Sequence, residues 1–87
     1  MIERESRIVN ELGLHARPAA QFVRLASSFR SAIELERDGV AVNGKSIMGV
    51  MMLAAECGAT VTLRATGEDA EAAVTALADL IANGFGE

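Results

Sequence analysis

The sequence predicts an α+β domain of two layers, in which three helices cover one face of a four-stranded antiparallel sheet and the other face meets water. Two observations predict it. The segments follow the order strand, helix, strand, strand, helix, strand, helix, and each helix carries one apolar stripe while most strands alternate. The 87 residues suffice for one small domain, residues 1–87, with a core but no deep cavity. We therefore expect a function carried out on the surface.

The first strand and the first helix differ in the clarity of their patterns. Residues 2–9 are predicted to form a strand with Ile2 and Ile8 on one face, although charged and polar residues interrupt the alternation. A helix is predicted over residues 16–28, because apolar residues recur there at spacings of three and four. These residues are Ala19, Phe22, Val23 and Ala26.

A β-hairpin is predicted next. The alternation in residues 32–37 indicates a strand, Asp38-Gly39 is typical of a two-residue hairpin turn, and residues 40–43 form the return strand.

The second half of the chain contains two helices and the clearest strand. A short helix is predicted over residues 47–53 after Ser46, which is a good N-cap residue. A strand follows over residues 60–66, and a helix over residues 69–83 with Gly84 as its C′ residue. The predicted inner face of that last helix consists of Ala70, Ala73, Val74, Leu77, Leu80 and Ile81.

Composition and charge exclude several classes of function. The net charge of −4 disfavours nucleic-acid binding, and no segment approaches the roughly 18 apolar residues of a membrane span. One histidine and one cysteine give no set of metal ligands, so we expect neither a metal nor a cofactor. The single cysteine, Cys57, has no expected role, and it has no second cysteine with which to form a disulfide. The N-terminus is charged and lacks the apolar core of a signal peptide. Both observations indicate the cytoplasm.

The only histidine, His15, lies at the start of the first predicted helix, in Gly-Leu-His-Ala-Arg-Pro-Ala-Ala. Pro18 falls in the first turn, where a missing N–H costs nothing, and the amides of Ala16 and Arg17 point out of the positive helix end. We expect that end and Arg17 to lower the pKa of His15, which leaves a neutral ring nitrogen as a nucleophile. The same groups favour an anion such as a phosphoryl group. The residues thus favour a phosphoryl acceptor over a simple N-cap.

Residues 39–46, Gly-Val-Ala-Val-Asn-Gly-Lys-Ser, match the nucleotide-binding pattern G-x-x-x-x-G-K-[ST]. A nucleotide-binding enzyme is rejected, because Val40 and Val42 alternate as a hairpin strand where a flexible loop is needed. The match is interpreted as accidental.

Two segments together resemble HPr, the histidine-containing phosphocarrier family of the bacterial sugar phosphotransferase system (PTS). They are residues 13–20 around His15 and residues 43–53, Asn-Gly-Lys-Ser-Ile-Met-Gly-Val-Met-Met-Leu. The resemblance covers essentially the whole chain and implies an open-faced β-sandwich of order βαββαβα. It implies a stoichiometric carrier rather than an enzyme. In this family, enzyme I phosphorylates the histidine, here His15, on Nδ1, Arg17 stabilises the phosphoryl group, and the A component of a sugar permease receives it.

The resemblance also implies regulation through Ser46. In many family members HPr kinase/phosphorylase phosphorylates the matching serine, which makes the protein a ligand for a transcriptional regulator. The residues alone favour a plain N-cap at Ser46. A chain with a mainly regulatory role, or one in a nitrogen-related branch, remains the alternative to a sugar-transport carrier.

The resemblance implies a partner-binding surface around His15. We also expect the protein to be a monomer. Among the large apolar side chains of the second helix, some are expected in the core and others exposed for partners. The presence of glycine at position 49 is explained equally by the close approach of a partner or by chance. The family has basic residues at two positions where this chain has a serine and a glycine, so the basic patch of its partner-binding surface is expected to be weaker. The predicted partner-binding residues are Arg24, Lys45, Ile47, Met48 and Met51.

Overall fold

The computed structural model describes residues 1–87 and confirms the predicted order of elements. The elements are β1 (Ile2–Arg7), α1 (Ala16–Ser27), β2 (Ala32–Arg37), β3 (Val40–Asn43), α2 (Ile47–Met52), β4 (Thr60–Thr66), α3 (Ala70–Ala82) and a closing 3₁₀ turn (Gly84–Gly86). The largest difference from the predicted bounds is at β1, which ends two residues early. Ile8 is fully buried there and bonds the loop before β4, with its amide donating to the carbonyl of Ala59 at 2.9 Å.

The sheet is antiparallel throughout and has the strand order β1-β4-β2-β3. Helix α3 packs on β1 and β4, and α1 contacts both α2 and α3. All three helices therefore lie on one face of the sheet, as the sequence predicts. Along the central strand β4, Val61, Leu63 and Ala65 are buried beneath the helices, while Thr62 and Arg64 alternate with them on the open face.

The hairpin between β2 and β3 has the predicted two-residue turn. Asp38 and Gly39 both have positive φ, 51° and 83°, and Arg37 pairs with Val40 across the turn. Positive φ at both central residues is the type I′ geometry that matches strand twist. Because residues 40–43 pair with β2, this segment forms part of the sheet and is not a flexible phosphate-binding loop.

A mainly aliphatic core fills the space between sheet and helices, with Phe22 fully buried and Phe85 3% exposed. Two details differ from the predicted helix faces. Leu80 is only half-buried and Ala78 is buried in its place, because α3 turns a slightly different side towards the sheet. Gly84 has φ +61°, as its predicted place after the helix requires, and the next residue, Phe85, turns back into the core.

Candidate functional site

His15 is the N-cap residue of α1, as the sequence predicts. Its backbone is extended, with φ −80° and ψ −171°, and its carbonyl accepts the amide of Ala19 at 2.9 Å. The imidazole makes no capping hydrogen bond, and its side chain is 37% exposed. The ring therefore lies at the helix start and is open to a partner.

The loop before His15 is fixed by backbone contacts. The amide of Leu14 donates to Ala55 at 2.9 Å, the amide of Gly13 to Asn10 at 3.1 Å and the amide of His15 to Gly13 at 3.0 Å. Gly13 has φ +70°, and a Cβ at this position would lie 2.4 Å from the carbonyl oxygen of Ala55. The close approach of two backbone segments therefore requires glycine beside the candidate site.

Arg17 and Ala16 occupy the first turn of α1, where the sequence places them. Both are exposed, and Pro18 after them is buried against the core. Amides in a first helical turn have no partner within the helix and carry partial positive charge. The helix start and the Arg17 guanidinium thus supply positive charge on the side of the domain that carries His15.

The structure brings Glu87 to the imidazole, which the sequence does not predict. His15 Nε2 lies 3.1 Å from Glu87 Oε2 and 3.4 Å from Oε1. Asn10, which is buried, donates from Nδ2 to Glu87 Oε1 at 3.2 Å. Desolvation raises the pKa of the Glu87 carboxyl, but the hydrogen bonds from Asn10 and His15 and the charge of Arg17 outweigh it, so the pKa lies below its usual value.

Ser46 is the N-cap residue of α2, and its hydroxyl accepts the amide of Gly49 at 3.1 Å. The structural role predicted for this serine is confirmed. A Cβ on Gly49 would lie 3.3 Å from Val42 Cβ, so tight packing on β3 is a third explanation for glycine there. Lys45 donates from Nζ to the carbonyl of Phe29 at 2.8 Å, so its ammonium group is partly engaged within the domain.

Helix α2 exposes four large apolar side chains. Ile47, Met48 and Met51 are 46%, 73% and 41% exposed, in agreement with their predicted place on the surface. Met52 is the most exposed of the four, at 76%, and the expected core contacts come from Val50 and Leu53 instead. This short helix has one buried residue, Val50, which leaves the other apolar side chains to the surface.

Arg24 lies in the last turn of α1 and is exposed. No hydrogen bond or ion pair joins Arg24, Lys45 or Ser46 to His15, so the predicted residues do not form one bonded cluster. A concavity of about 570 Å³ lies over the open face of the sheet, and neither it nor two smaller concavities include His15. The candidate site is therefore a surface site and not a pocket.

Two further observations concern other kinds of site. None of the helices has the length and apolar character needed to cross a membrane. No three His, Cys, Asp or Glu residues are grouped so that they could hold a metal ion.

Comparisons with known proteins match this chain over its whole length. A family model described as "PTS HPr component phosphorylation site" matches residues 2–83. The phosphocarrier protein HPr of Cupriavidus necator is 53% identical over 100% of this chain and 98% of its own. A crystal structure of HPr from Thermoanaerobacter tengcongensis is 53% identical, covers 100% and 98% of the two chains and superposes with a TM-score of 0.97.

A relative from Bacillus subtilis, the catabolite repression protein Crh, is 45% identical, covers 97% of both chains and has a TM-score of 0.78. Its crystal structure is described as a dimer with a swapped domain. The monomer expected for the present chain therefore stays a prediction.

The open-faced two-layer fold and the full-length matches define the class of this protein: it is a phosphocarrier component of the phosphotransferase system, a carrier rather than a catalyst. Within that class, the chain belongs to the HPr family.

Proposed function

We propose that His15 accepts a phosphoryl group from phosphorylated enzyme I on Nδ1 and passes it, in the cytoplasm, to the A component of a sugar permease or to a regulatory target. The observation that carries this proposal is the placement of the chain's only histidine. Its ring is accessible at the start of a 12-residue helix, beside Arg17, and Nδ1 has no hydrogen-bond partner within the protein.

The transfer is a displacement at phosphorus. The Nδ1 lone pair of His15 forms the N–P bond while the bond from phosphorus to the enzyme I donor breaks, and that bond's electron pair stays with the donor. The phosphoryl oxygens then lie near the amides of Ala16 and Arg17 and near the Arg17 guanidinium, which offset their charge. The second transfer reverses these roles, with His15 as the leaving group.

The experiment uses phosphoenolpyruvate, enzyme I and the full chain. We expect one acid-labile phosphoryl group per chain in the natural protein and none in His15→Ala. Ser46→Ala is the matched control, since it leaves His15 intact and is expected to accept the group as the natural protein does. Phosphorylation of His15→Ala under the same conditions would refute the assignment.

A regulatory role for Ser46 is a second proposal, supported by its place at the surface-facing start of α2, where its hydroxyl is half-buried. The relative Crh, whose name refers to catabolite repression, matches 97% of this chain. We expect HPr kinase/phosphorylase with ATP to add one acid-stable phosphate to the natural protein and to His15→Ala, but none to Ser46→Ala. An unmodified natural protein would eliminate this role. A chain phosphorylated at Ser46 but inert towards A components would be mainly regulatory, as a binding module for a transcriptional regulator.

A further inference from the structure

The segment after α3 leads to the imidazole of His15. Phe85 is 3% exposed and anchors the 3₁₀ turn in the core, with a backbone φ of +58° that reverses the chain. The amide of Glu87 then donates to the carbonyl of Gly84 at 3.0 Å. A buried aromatic ring and a closed turn thus hold the backbone that carries the Glu87 carboxylate.

Asn10 fixes that carboxylate from the other side. Its side chain is buried, and Nδ2 donates both to Gly13 O at 2.7 Å and to Glu87 Oε1 at 3.2 Å. If the amide were turned over, its oxygen would face these two acceptors, so the orientation with Nδ2 towards them is the favourable one. The residue that orients Glu87 therefore belongs to the same loop that positions His15.

The contact with Glu87 distinguishes the two nitrogens of the ring. A carboxylate only accepts hydrogen bonds, so the nitrogen that faces it must carry the proton. Glu87 Oε2 lies 3.1 Å from His15 Nε2. In the neutral ring, a proton on Nε2 leaves the lone pair on Nδ1.

We propose that Glu87, oriented by Asn10, is a positioning residue that holds the His15 proton on Nε2 and keeps Nδ1 free as the acceptor. That Nδ1 accepts a phosphoryl group rests on the function proposed above, whereas the location of the proton on Nε2 does not. The same contact is suited to the phosphorylated ring, since Nε2–H remains a donor when Nδ1 carries the phosphoryl group. The charged group in contact with the imidazole is Glu87, and the charge of Arg17 on α1 acts on that carboxylate.

The first measurement is the tautomer ratio of His15 in ¹⁵N-labelled protein at pH 8, where an ordinary imidazole is neutral. The chain has a single histidine, so its two ring nitrogens give unambiguous signals in long-range ¹H–¹⁵N spectra. We expect Glu87→Ala to lower the ratio of Nε2–H to Nδ1–H roughly fivefold, as for one partly exposed hydrogen bond to a charged group. Glu87→Gln keeps an acceptor oxygen without the charge and is expected to give an intermediate ratio.

The matched control is Glu71→Ala, which removes an exposed carboxylate on α3 and leaves the ratio unchanged. The second measurement is transfer from enzyme I, in which Glu87→Ala is expected to lower kcat with little change in KM. A ratio that is the same in Glu87→Ala and the natural protein would overturn the proposal, whatever the kinetics show. Failure of His15 to accept any phosphoryl group would instead refute the proposed function, while the tautomer ratio would still decide the role of Glu87.

Discussion

At the scale of single residues, the loop before His15 depends on Gly13. Two separate requirements meet there: a left-handed backbone, with φ +70°, and an approach in which a Cβ would lie 2.4 Å from Ala55 O. The carbonyl of Gly13 also accepts Asn10 Nδ2 at 2.7 Å, which links the backbone at this position to the orientation of Glu87. The site is therefore sensitive to a change that does not touch the imidazole.

We expect Gly13→Ala to lower the free energy of unfolding by about 3 kcal/mol, from left-handed strain and overpacking together. Gly39→Ala is the matched control, because Gly39 has φ +83° but no other atom lies within 4 Å of the position that a Cβ would take there. That variant is expected to lose only about 1 kcal/mol. Urea denaturation of both variants measures the difference, and equal losses would contradict the importance of the close approach to Ala55.

The sequence predicts the place of His15 and Arg17 at the start of α1, because both lie within one short segment whose helix start can be recognised from Pro18. Glu87 is separated from His15 by 72 positions, and no motif connects them. The contact depends on where Phe85 packs after α3 ends, which is a tertiary property. Local pattern therefore predicts where the imidazole lies but not the carboxylate that faces it.

At the scale of elements, the hairpin and β4 are predicted to the residue because turn chemistry and alternation are local signals. Helix α2 is harder to interpret, since almost all of its residues are apolar and its pattern has no polar face. The packing of α2 against α1 and β3 decides which of these side chains is covered. The exposed Met52 is the result that periodicity alone does not predict.

The start of α2 depends on the hydroxyl of Ser46, which accepts the amide of Gly49. We expect Ser46→Ala to lower the free energy of unfolding by about 1 kcal/mol, the usual cost of losing an N-cap. Ser27→Ala removes an exposed hydroxyl from α1 and is expected to change stability by less than about 0.5 kcal/mol. Thermal and urea unfolding give both values. A Ser46→Ala variant as stable as the natural protein would show that α2 forms without this cap, which leaves regulation as the stronger reason for the serine.

At the scale of the whole molecule, ion pairs join neighbouring strands on the open face, in addition to the backbone bonds of the sheet. On the open face, Arg64 of the central strand β4 bonds Glu3 on β1 and Glu34 and Glu36 on β2. The carboxylates of Glu36 and Glu3 raise the pKa of the Arg64 guanidinium, with the hydrogen bond to Glu36 the largest cause. Three of the twelve acidic side chains thus lie on the open face of the sheet, where Arg64 offsets part of their charge.

Asp69, at the start of α3, bonds the segment between α1 and β2 and makes the stability of the fold sensitive to acid. Its carboxylate accepts the hydroxyl and amide of Ser31 and the amide of Arg30, and these bonds, led by the Ser31 hydroxyl, lower its pKa from 3.8 to about 2. A depressed pKa in the folded state means stability that is present above pH 4 and is lost as the pH falls towards 2.

We therefore expect Asp69→Asn to be less stable than the natural protein at pH 7, with a difference in the free energy of unfolding that narrows steadily below pH 4. Asp79→Asn, at an exposed position of α3, is the control and is expected to show no such convergence. Urea unfolding at pH 7, 5, 3 and 2 measures the gap, and a constant difference across this range would mean that the Asp69 charge does not hold the α1–β2 connection to α3.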